Sequence, residues 1–232
     1  MRRDITLIET LVLVVVIVAS LSMILPWCVQ ARITSRREFC LSNQREMAAA
    51  ALAFEQTQGH FPGYKQKLAG RDVSWAVMLL PQLERSDLWK LWQAKPYDPQ
   101  AQVRQSVMIC PSDPPDSSSP KDGACSYAIN TLVCPEGIGL DAGSIRDGIV
   151  NTLLFSENLR KNKSHTWWDT DAAKIGFGLG TMSDNIESNH GDGAVAAFAD
   201  GHVAFIRSDL GDKLYQALVT PNGHEDVPDG GL

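Results

Sequence analysis

At 232 residues and 44% hydrophobic content, the chain has enough apolar material for one sizeable core, or for one core and a membrane segment. A net charge of −6 with a pI near 5.3, and no basic run longer than two residues, exclude the electrostatic footprint that nucleic acid requires. One globular domain is expected.

The N-terminal stretch DITLIETLVLVVVIV, residues 4–18, places Glu9 at the head of an apolar run. From Thr10 to Ala31 no side chain is charged. At about 1.5 Å per residue, a helix of that length would cross roughly 30 Å of hydrocarbon. The expectation is a short leader-like segment, 1–4, then a transmembrane half-helix, 5–31. After Leu25 the chain reads Pro26-Trp27-Cys28-Val29-Gln30-Ala31, which is no small-x-small signal-peptidase site. Trp27 suits a headgroup interface, and Pro26 removes one helical donor. Arg2 and Arg3 precede the run, while Arg32, Arg36 and Arg37 follow it, a count that leans toward a cytoplasmic C-terminal domain and leaves topology open.

The helix is predicted to continue beyond this run. Ile33, Cys40, Met47 and Phe54 recur every seven residues between charged positions, laying one apolar stripe. Ala48 to Ala51 add strong helix formers. Gly59, followed by Phe61-Pro62-Gly63, ends it. Residues 32–232 are therefore expected to form the globular domain, the second half of the helix included.

Further along, Ser86-Asp87 opens a short helix with Leu88, Leu91 and Trp92 on one face. Thr152 to Ser156 reads as a strand. The adjacent Trp167 and Trp168, if on a strand, face opposite ways and leave one ring exposed. Gly176 to Gly180 is a turn or edge segment and lacks the lysine of a phosphate loop. Gly193 to Ala199 and His202 to Arg207 are β-prone runs around Asp200-Gly201, which predicts a two-residue type I′ hairpin pairing Phe198 with Val203 and Ala196 with Phe205. His190 falls in the loop before the first of these strands, where its ring could fix the loop through a backbone carbonyl. Asp209 to Val219 reads as a short amphipathic helix. The tail carboxylates Glu225, Asp226 and Asp229 lack calcium-loop spacing. Helix first and strands afterwards is an α+β order, with an antiparallel sheet laid against the long helix.

No nucleophile elbow and no zincin helix is present, so no catalytic residue and no cofactor are expected. The five cysteines, Cys28, Cys40, Cys110, Cys125 and Cys134, include no C-x-x-C pair, so no metal ligand set is expected either. Cys110 with Cys125 or Cys134 would staple the Ser/Pro-rich loop, and Cys40 with Cys110 would tie helix to sheet. Buried free thiols are the equal alternative.

Two resemblances follow. Thr6-Leu7-Ile8-Glu9 before an apolar run is similar to the start of type IV pilins and type II secretion pseudopilins. The resemblance implies processing by a prepilin peptidase between Asp4 and Ile5, with N-terminal methylation. It also implies that Glu9, as fifth mature residue, sets axial register by pairing with the α-amino group of a neighbouring subunit. Where those families carry glycine before the cut, this chain carries Asp4. Secondly, Cys40 and Asn43, Gly59-His60-Phe61-Pro62, Cys110-Pro111-Ser112-Asp113, Ser126-Tyr127-Ala128, Asn151-Thr152-Leu153-Leu154 and Glu157 resemble a bacterial pilin-like family of unknown function. Its C-terminal hallmark is a histidine, nine residues, then Asp-Gly, matched here by His190 and Asp200-Gly201.

These resemblances imply a non-enzymatic, single-pass inner-membrane protein with a pilin-like domain outside the cytoplasm. It would assemble with copies of itself or other pilin-like subunits into a filament or secretion-related machine. The other class considered is a membrane-tethered binding domain that never polymerises.

Overall fold

The computed structural model describes residues 7–95, 98, 100–113, 123–158 and 166–223, with backbone alone at 24–26, 28 and 29. The expected Asp4–Ile5 processing site and the tail carboxylates lie outside these residues.

One unbroken helix, α1, runs Leu7–Gln58. It stops where the sequence predicts. Gly59 turns to φ +79° and returns its N–H to the Glu55 carbonyl at 2.7 Å, a left-handed closure that glycine makes without a Cβ penalty. The two halves of α1 differ in burial. Cys40, Met47, Ala48, Ala51 and Phe54 are buried, whereas Ile33, the first member of the seven-residue series, is 48% exposed. The stripe therefore begins at Cys40.

The expected transmembrane helix needs correction. Among the described residues, no helix is long and apolar enough to cross a membrane. The described apolar side chains of this segment lie between Leu7 and Met23. Glu9, Thr10, Ser20 and Ser22 interrupt them, and both serines satisfy their hydroxyls on the helix's own carbonyls. Single-pass anchoring in the inner membrane, the localisation inferred from that segment, falls with it.

After α1, β1 (Lys65–Leu68) and β2 (Arg71–Ser74) form a small antiparallel hairpin. Ser74 caps α2 (Trp75–Met78), and α3 (Ser86–Ala94) follows. As expected, Leu88 and Trp92 are the buried face of α3. The main sheet comprises β3 (Tyr127–Asn130), β4 (Leu153–Glu157), β5 (Gly176–Phe177), β6 (Gly193–Phe198) and β7 (Val203–Arg207), in the order β5-β3-β4-β6-β7. Every pairing is antiparallel except β3 with β5, so the sheet is mixed rather than wholly antiparallel. Two short helices, α4 (Ala172–Ile175) and α5 (Met182–Asn185), flank β5, and α6 (Asp212–Val219) closes the described chain.

The sheet separates two cores. Val195 and Ala197 of β6, with Leu154 and Phe155 of β4, face α1 and the tryptophans. Ala194, Ala196 and Phe198 face Tyr215, Leu218 and Val219 of α6. A buried Asn130 joins the layers by donating from Nδ2 to the carbonyls of Leu153 and Val219, each at 2.8 Å. The large majority of buried polar groups in folded proteins are paired in this way.

Two local expectations change. The hairpin forms, but Ala197 pairs with Val203 and Ala196 with Ala204, one residue off the predicted register. The connection is the three-residue Ala199-Asp200-Gly201, closed by Phe198 N–H to the His202 carbonyl at 2.9 Å, with Gly201 at φ +92°. Three-residue loops end in such a left-handed residue, and the extra residue moves every cross-strand partner. Trp167 and Trp168 lie in a turn, not on a strand. Trp167 is buried, donating from Nε1 to the Val103 carbonyl at 3.0 Å and meeting Trp92 edge-on. Trp168 covers Gly123, where a Cβ would collide with its ring.

Candidate functional site

Four side chains far apart in sequence converge where α1 enters the domain. Cys40 comes from α1, Cys110 from the segment behind the Ser106–Met108 turn, Glu157 from the end of β4, and His190 from the loop before β6. All four are buried, and their ligand atoms lie within 4.8 Å of one another.

Each is held by its own backbone setting. Cys110 is fixed because its N–H donates to Ser126 Oγ at 3.0 Å, while Ser126 N–H donates to the Met108 carbonyl. Asn43, one turn beyond Cys40, donates from Nδ2 to the Ile109 carbonyl at 2.9 Å and pins this segment to α1. Glu157 ends an all-buried strand. Its Oε2 accepts the Ser188 hydroxyl at 2.6 Å and the Val195 N–H at 3.0 Å. The same Ser188 hydroxyl accepts the His190 N–H at 3.1 Å, and Gly191 at φ +83° turns the chain away. His190 is thereby placed with Nε2 facing the cluster and Nδ1 3.4 Å from Ser112 Oγ.

The contacts form a chain. The sulfurs of Cys40 and Cys110 are 2.6 Å apart, Cys110 Sγ is 3.5 Å from His190 Nε2, and that nitrogen is 3.2 Å from Glu157 Oε1. The last approach lies off the hydrogen-bond direction, and Oε1 accepts no hydrogen bond. Burial alone would lower the pKa of His190, but the neighbouring Cys110 and Glu157 outweigh it and raise it to about 9. Burial also opposes the Glu157 charge, yet His190, Ser188 and the Val195 N–H hold that carboxyl below its usual range. The Cys40 sulfur, and then burial, push the Cys110 thiol up. Metal-free, the cluster is an imidazolium–carboxylate pair beside the neutral Cys110 thiol.

The residues singled out in the sequence are thus divided. Cys40 and Cys110 come together. Cys125 and Cys134 are buried elsewhere, with all four described cysteines free and burial raising both of the latter thiols, Cys125 to about 12. His190 and Asp200-Gly201 sit at opposite ends of β6, so the nine intervening residues are one strand with its approaches. Asp200 and Gly201 are turn residues: Asp200 Oδ1 accepts the His202 N–H at 3.0 Å, and a Cβ on Gly201 would meet Leu52 of α1. His190 contacts side chains of the cluster, not the backbone carbonyl expected for it. Glu9 lies in the exposed first turn of α1. What sequence reasoning missed is the meeting of Glu157 with the other three. The only local signal is an acid closing the strand-like run Leu153 to Ser156, whose first three residues are apolar.

Fold and site together define a mixed-sheet α+β domain with a buried Cys-Cys-Glu-His cluster under its N-terminal helix. The family described as "Protein of unknown function (DUF1559)" matches residues 29–133. The match takes in Cys40, Asn43 and Cys110; Glu157, His190 and Asp200-Gly201 lie beyond it. No curated protein and no solved structure matches the chain.

Proposed function

We propose that this chain is a pilin-like subunit that assembles with further copies of itself through the first half of α1. The supporting observation is the exposure of an apolar surface on every side of that helix: the consecutive residues Leu11, Val12, Leu13, Val14, Val15, Val16, Ile17 and Val18 are each between 48% and 62% exposed. A helix apolar all round, rather than along one stripe, requires neighbours all round. The same half-helix from other copies supplies that surroundings in parallel array, while the folded domains remain outside the bundle. Glu9, at the head of the run, takes the register role that the pilin resemblance assigns to it. An acid among packed apolar helices tolerates only a partner of opposite charge at one axial offset.

Sedimentation velocity on the full chain across a concentration series tests this. The native chain is expected to form large species. The triple variant Leu11→Ser, Val14→Ser, Val18→Ser is expected to sediment as a folded monomer, and Glu9→Ala to give associated species of irregular size. A native chain that remains monomeric at every concentration overturns assembly and leaves the domain acting alone as a binding module.

A further inference from the structure

We infer that Cys40, Cys110, His190 and Glu157 form a tetrahedral zinc site. The donor set is of the kind that selects this ion: two thiolates, one imidazole and one carboxylate, fully buried and supplied from four separate parts of the chain.

Three features point to an ion rather than to a packed polar cluster. Glu157 Oε1 is fully buried, accepts no hydrogen bond and faces the cluster, while Oε2 is saturated by Ser188 and Val195. A carboxylate bound through one oxygen and anchored through the other is the usual arrangement of a monodentate ligand with its supporting shell. His190 has the matching asymmetry. Nδ1 faces Ser112 Oγ at 3.4 Å, the second-sphere contact that fixes a ring's tautomer, and Nε2 faces the other three donors. Finally, the spacings 3.5 Å from Cys110 Sγ to His190 Nε2 and 3.2 Å from Nε2 to Glu157 Oε1 suit adjacent corners of a tetrahedron with bonds of about 2.0–2.3 Å.

Loading must part the two sulfurs, now 2.6 Å apart, by about 1 Å, the separation that two zinc-bound thiolates require. The balance is simple. Zinc replaces the two thiol protons and the proton on Nε2, and all three leave to solvent. A cleft lined by Thr34, Arg37, Asp192 and His190 gives the ion a path from the surface. No exposed position remains on the four-coordinate ion, so the site clamps rather than catalyses: it fastens α1 to the sheet and to the segment before β3.

The test uses the full chain, reduced, stripped with a chelator and titrated with zinc or with cobalt as its spectroscopic substitute. The expected result is about one ion retained per chain, a thiolate-to-cobalt charge-transfer band, tetrahedral visible bands and a higher melting temperature than the stripped protein. Cys110→Ser and Glu157→Gln should lose the bands. Ser112→Ala, which keeps every ligand and leaves the core untouched, should weaken binding about tenfold or more. Cys125→Ser should bind as the native chain does. The inference is overturned if the reduced protein retains no ion, if Cys110→Ser binds equally well, or if mapping shows Cys40 and Cys110 joined as a disulfide whose reduction yields no metal affinity.

Discussion

The two halves of α1 belong to one continuous helix and obey opposite rules. From Cys40 onward, apolar positions are confined to one face, and the side-chain amides of buried Gln44 and half-buried Asn43 donate to the carbonyls of Val195 and Ile109. Before Arg37, the described apolar side chains surround the axis and stand exposed. Helical hydrogen bonding is therefore indifferent to what packs on the outside, and the second half has found its partner within the chain while the first has not.

Breaking the contrast starts in the buried half. Met47→Ala and Phe54→Ala should each cost about 2–5 kcal/mol, from lost transfer energy plus the cavity left behind. Denaturant melts of the full chain would read this as a lower midpoint at unchanged slope. Gln44→Ala leaves the Val195 carbonyl, which now accepts from Nε2 at 2.7 Å, without that donor. A loss of about 1–3 kcal/mol is expected, with faster amide exchange in β6 and β7 as the local signature. Gly201→Ala forces a side chain into φ +92° and against Leu52, at a cost of about 1–2 kcal/mol; an unchanged melting temperature would show that the turn relaxes freely. The smallest effect sharpens the contrast from the other side. Val14→Ser with Ile17→Ser should move the domain's unfolding by no more than about 0.5 kcal/mol, while sedimentation shifts toward monomer. An equal loss of domain stability would mean that the first half is packed on its own domain after all.

Much of this was legible locally. The seven-residue spacing from Cys40 and the Gly59 stop located the buried helix, and Ser86-Asp87 and the run to Val219 located α3 and α6, because caps and periodicity act over a few residues. The hairpin register was not legible. Asp-Gly fits both a two-residue and a three-residue connection, and the choice falls to Ala199, whose side chain packs in the helix-facing core. The expected span across a membrane is not found among the described residues, where no helix is long and apolar enough to cross one. The cluster was the least visible. Cys40 is 70 residues from Cys110, and Cys110 80 from His190, so no spacing rule links them. Only the sheet order, which lays β4 beside β6, brings Glu157 to the histidine.

At 52 residues, α1 is a rod about 78 Å long. Among the described side chains the first fully enclosed one is that of Cys40, so the arm before it is roughly 50 Å and ends at that fulcrum. Any sideways load on the arm's tip arrives there as torque multiplied by that length. The fastening at Cys40, Asn43 and Cys110 thus decides whether the arm steers the domain as a rigid lever or swings loosely beneath it.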